Sequence, residues 1–115
     1  MAVRYFYNNE QILHIKNSTF ETFYLCLLEV MEENQVCPNQ NIAKLIEHLE
    51  QGGYGIGVDI SKYLKSKNDL LVFAELIKKA IEKFEINVPT LREDVKRTFW
   101  DFHKELIKYG QVLRS

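Results

Sequence analysis

Side chains able to carry chemistry are scattered along this chain. His14, His48 and His103 include no pair four residues apart, and Cys26 and Cys37 stand too far apart for a C-x₂₋₄-C metal knuckle. Asp101, His103 and Glu105 alternate along a helical pattern and so do not share a face. Asp59 and Tyr63, one helical turn apart, can meet, yet that pair alone specifies no reaction. The densest feature is Gly52-Gly53-Tyr54-Gly55-Ile56-Gly57-Val58-Asp59, with four of the five glycines in six positions. A nucleotide-binding G-x-G-x-x-G would need a third glycine where Val58 stands, and a P-loop would need a lysine and a hydroxyl that are missing here. Asp59, at the start of the following helix, would repel a phosphate. The stretch reads as a connector, and neither a metal, a cofactor nor an enzymatic site is expected.

The elements around it follow from periodicity. Val3–Tyr7 and Ile12–Ile15 flank Asn8-Asn9 and read as an N-terminal hairpin, which also offers an edge for pairing. Ser18 to Glu21 has the form of a capping box, followed by Phe20, Phe23, Tyr24, Leu27, Leu28 and Met31 on one helical face. Leu25, Cys26 and Val30 widen that face, so the helix is expected to be buried on more than one side, with Cys26 a small core residue. A second helix carries Ile42, Leu45, Ile46 and Leu49, after Cys37-Pro38-Asn39 ends the first. Asp59 is the expected N-cap of a short helix, Ile60 to Leu64, and Asn68 of the next. That next helix, 68–84, has the strongest stripe: Leu70, Phe73, Leu76, Ile77, Ala80, Ile81 and Phe84. Ile86-Asn87-Val88 then reads as extended ahead of Pro89. Thr90 to Glu93 forms a second capping box opening the last helix, which Gly110 terminates. The expected fold is α+β, mainly α, with about five helices around a central helix and an N-terminal hairpin. It is read as one domain over 1–115: hairpin 2–16, acidic helical half 18–51, Gly-rich connector 52–58, and basic helical half 59–110.

Charge divides the chain more sharply than any motif. Residues 1–59 carry −5 and residues 60–115 carry +4, within a net charge of −1. The basic half interleaves Lys62, Lys78 and Lys83 with Asp69, Glu75 and Glu82, which describes a solvated face better than a nucleic-acid stripe. The acidic half is more one-sided: from Thr19 to Asp59, seven carboxylates face a single lysine. Glu29, Glu32 and Glu33 crowd the C-terminal end of a helix, where its dipole disfavours negative charge. Such a field attracts a basic partner. The candidate partner-binding residues are Glu29, Glu32, Glu33, Glu47, Glu50 and Asp59, with Tyr54 as an apolar anchor. Two cysteines are too few for a secreted disulfide framework, and no apolar run approaches a membrane span. The N-terminus lacks the regions of a signal peptide, so the expectation is a cytoplasmic protein without a membrane partner.

Three stretches also carry a family resemblance: Tyr54 to Leu64, Leu70 to Phe84, and the capped ending Phe84 to Val95. Over about half its length the chain resembles small bacterial immunity proteins of contact-dependent growth inhibition and bacteriocin systems, with an ending similar to the colicin D type. The resemblance implies a stoichiometric inhibitor of a toxin domain, commonly a basic nuclease, whose cleft it would fill with acidic groups. The rival expectations are a nucleic-acid-binding regulatory module using Lys62 to Lys83, and a small enzyme using the glycine loop.

Overall fold

The computed structural model describes residues 3–8, 10–33, 40–51 and 57–113. Strands β1 (Val3–Asn8) and β2 (Glu10–Lys16) pair antiparallel, as the β-branched and aromatic alternation requires. Phe6 lies opposite Leu13 and Tyr7 opposite Gln11, so Ile12 is an extra residue at a bulge in β2. The expected turn residue Asn9 lies outside the described residues. A third strand, β3 (Gly57–Asp59), lies parallel to the other edge of β1, giving the order β2-β1-β3. Gly57 and Val58, expected within a connector, therefore belong to the sheet. Val58 sits fully buried beside Phe6.

Among the described residues four α-helices follow the hairpin, in place of the expected five: α1 (Asn17–Glu33), α2 (Gln40–Gln51), α3 (Lys67–Asn87) and α4 (Glu93–Val112). The expected short helix after Asp59 is a single 3₁₀ turn, Ile60–Lys62. Asp59 caps it as anticipated, its Oδ1 accepting from the Ser61 amide at 3.0 Å and the Ser61 hydroxyl at 2.6 Å. Ile60 and Leu64 of this segment are buried and Tyr63 packs against the core from its edge, a short anchor for a segment of one turn.

Several boundaries move for local reasons. α1 starts at Asn17, which places Ser18 in its first turn. Ser66, rather than Asn68, caps α3, accepting from the Asp69 amide at 3.1 Å. α3 continues through Ile86 and Asn87, so only Val88 leaves the helix (φ −125°, ψ 77°). The steric restriction imposed by Pro89 reaches back a single residue. A turn closed by Leu91 N–H donating to the Val88 carbonyl then absorbs Thr90, and α4 starts at Glu93 with no side-chain cap. Glu93 and Asp94 instead supply favourable negative charge in its first turn. Gly110 does not end α4. It lies buried within it, where an added Cβ would stand 3.6 Å from the Leu70 Cβ of α3.

One core cluster draws on every element. All seven predicted stripe residues of α3 are buried. α1 packs on the C-terminal part of α3, where Cys26 meets Asn87 and Glu33 meets Lys83, and α4 runs antiparallel to α3, with Trp100 meeting Glu85 and Gly110 meeting Leu70. Phenylalanines join the layers. Phe6 of the sheet contacts Phe20 and Phe102, Phe20 contacts Phe23, and Phe23 stacks on Phe99 at 4.4 Å with Phe84 against both. Burying a ring of this size contributes on the order of 2–3 kcal/mol, so this column is a principal source of cohesion.

Candidate functional site

Helix α1 contains no basic residue, and the carboxylates near its C-terminal end are exposed. The dipole cost expected there is offset from outside the helix. Lys83, one turn before the end of α3, pairs with Glu29 at 3.5 Å and makes a short hydrogen bond to Glu33. Those two contacts hold its ammonium pKa above the ordinary lysine value, the hydrogen bond to Glu33 contributing most. The acidic and basic halves of the sequence are thus clasped together in space. Beside the clasp runs an open groove lined by Val30, Glu33, Lys79, Glu82, Lys83 and Ile86, the last 77% exposed.

The remaining predicted residues are distributed differently. Glu32 and Glu47 are exposed on α1 and α2. The two helices meet where the Tyr24 hydroxyl donates to the Ile46 carbonyl at 3.4 Å. Glu50 belongs to α2, with its side chain outside the described structure, and Tyr54 with Gly52, Gly53 and Gly55 lies outside the described residues altogether. Asp59 is half-buried and engaged as a cap. The anticipated Asp59–Tyr63 pairing does not form: the Tyr63 hydroxyl lies 2.5 Å from His48 Nδ1, and the two rings pack edge-on. Tyr63 thereby ties the 3₁₀ segment to α2.

Sequence periodicity misplaced two leucines. Leu25 is 61% exposed and Leu28 37%, although the apolar run around them predicted burial. The inward face of α1 is filled by Phe20, Phe23, Cys26, Leu27 and Val30, which leaves Leu25 and Leu28 on the outer surface. The signal was available in the spacing: Leu25 and Leu28 are three apart and align with Glu21, Glu29 and Glu32, an outward stripe of mixed character. The pair joining His48 and Tyr63 had no such signal, because nothing local links residues of different elements.

Other polar groups serve the fold. Asp69, only 5% exposed, accepts from Asn41 Nδ2 at 3.0 Å and so joins α3 to α2. Trp100 Nε1 donates to Glu85 at 2.7 Å between α4 and α3. Burial is the main cause that lowers the His103 pKa from 6.5, with Lys78 adding to it and Glu75 opposing. Burial likewise pushes the Cys26 thiol up, against the lowering effect of its Asn87 contact. Among the described residues no three His, Cys, Asp or Glu side chains converge into a metal-binding group, and no helix is long and apolar enough to cross a membrane. Comparison with protein-family models, curated proteins and solved structures finds no match for this chain.

Proposed function

We propose that the protein is an immunity protein, a stoichiometric antitoxin that binds a basic toxin domain through the acidic outer surface of its first helical half. It acts by occupying a partner and not by turning over a substrate. The observation that carries the reading is α1: a helix with no basic residue, exposed carboxylates at Glu29, Glu32 and Glu33, and solvent-facing leucines. An acidic surface of this kind suits the cleft of a nuclease, which is built to hold phosphates. The resemblance of Tyr54–Leu64 and Phe84–Val95 to immunity proteins of growth-inhibition systems supports the same class, and a cytoplasmic site of action goes with it.

Less supports the nucleic-acid alternative. Lys83, one of the cations in the Lys62 to Lys83 run that such a surface would use, is already paired with Glu29 and Glu33.

The proposal requires a toxin gene beside this one, and co-expression with the toxin domain of that neighbouring gene tests it. Expected are restored growth and a 1:1 complex whose association slows at least about tenfold at low salt when Glu32 and Glu47 are changed to lysine. Failure to rescue growth, or an association rate indifferent to those changes, would refute it.

A further inference from the structure

Five large apolar side chains are substantially exposed among the described residues, and two of them, Leu25 and Leu28, adjoin on one face of α1. Isolated exposed leucines are ordinary, but neighbouring ones at i and i+3 make a continuous apolar strip. Glu21 lies one turn before Leu25, Glu29 one turn after it, and Glu32 one turn after Leu28; all three are exposed. α1 itself carries no basic residue, and of the three carboxylates Glu29 is paired with Lys83 of α3. An apolar strip edged by carboxylates matches a surface of inverse charge: apolar side chains flanked by lysine or arginine.

We infer that the outward stripe Glu21-Leu25-Leu28-Glu29-Glu32 is a docking surface for a cationic amphipathic segment of a partner protein, with the two leucines as its anchor. The inference rests on the antitoxin reading for its biological partner, though not for its chemistry. It transfers the anchoring role from Tyr54 to α1. Leucines buried at the centre of an interface supply affinity, while rim carboxylates chiefly raise the rate of encounter and select against acidic partners. Because both leucines already face solvent, removing them leaves the core untouched.

The test uses the full-length ¹⁵N-labelled protein, titrated with a leucine–lysine amphipathic peptide long enough for about five helical turns. Amide shifts are expected to concentrate on the outer positions of α1. The double variant Leu25→Gln/Leu28→Gln should bind at least about tenfold more weakly, about 1.4 kcal/mol, with an unchanged thermal melt. Glu32→Lys should weaken binding mainly at low salt. A leucine–glutamate peptide of the same pattern should not bind. Shifts on another face, undiminished binding by the double variant, equal binding of the acidic peptide, or self-association of the protein through α1 would each overturn the inference. The toxin domain, titrated in parallel, separates the two readings. Full neutralisation by the leucine double variant would remove this surface and leave the antitoxin reading. Loss of all toxin binding with the peptide result intact would do the reverse.

Discussion

His103 and Lys83 show how a side chain's surroundings become a measurable pH or salt response. His103 is held half-buried on α4, with Lys78 opposing its protonation more than Glu75 favours it. Its folded-state pKa lies below the unfolded value, so the unfolded chain binds more protons on acidification. The His103 contribution is therefore complete above 6.5 and is lost as pH falls through the lowered value. Urea midpoints measured at about pH 5 and about pH 8 should differ less in His103→Gln than in the native protein. Lys83 works by contact: it neutralises two carboxylates that sit at the unfavourable end of a helix dipole. Lys83→Met should lower stability, and the loss should shrink as salt is raised, as denaturation at low and high ionic strength would reveal. None of this clasp was legible beforehand, because Glu29, Glu33 and Lys83 are joined only by the packing of α1 on α3. The acidic excess itself was visible in composition, and so was the capping role of Asp59, which depends on neighbours two residues away.

Elements were legible in proportion to their local information. All seven residues of the α3 stripe are buried because they agree on one face, and the helix buries Asp69 and Ala74 beyond them. β3 escaped notice: Gly57-Val58-Asp59 has one apolar residue and two poor strand formers, and it is a strand only because β1 offers it an open edge. Gly110 was read as a helix stop from residue type alone, whereas its position reflects the approach of α4 to Leu70. The space there decides the direction of two substitutions. Gly110→Ala places a methyl at ordinary contact distance, 3.6 Å from Leu70 Cβ, and removes the helix cost of glycine. It should raise stability by about 0.5–1 kcal/mol. Gly110→Leu should lower it, since the added atoms would have to separate α3 from α4. Chemical denaturation of the pair is a direct check.

At the scale of the molecule, the phenylalanine column makes the sheet, α1, α3 and α4 one cooperative structure. Phe23 occupies its middle, touching Phe20, Phe84 and Phe99 from three different elements. Phe23→Ala should cost roughly 3–5 kcal/mol, a large part of the roughly 5–15 kcal/mol that holds a typical domain. A calorimetric melt should show a sharp fall in midpoint, and a near-native midpoint would contradict the column's role. The general α+β character was readable from patterning, but the junctions were not. Which helices meet depends on apolar faces finding one another over long sequence separations.

The parallel pairing of β1 with β3 also sets a schedule for synthesis. The hairpin and α1 can assemble once the first 33 residues have left the ribosome, but the second edge of β1 has no partner until Gly57 to Asp59 appear. During that interval the nascent chain carries a bare strand and a Phe6 lacking the cover of Val58, the condition in which strands recruit strangers. Dependence on chaperones should therefore concentrate in the roughly 1–5 seconds that synthesis takes between residues 33 and 59, and a fragment halted short of Gly57 would remain in that exposed state.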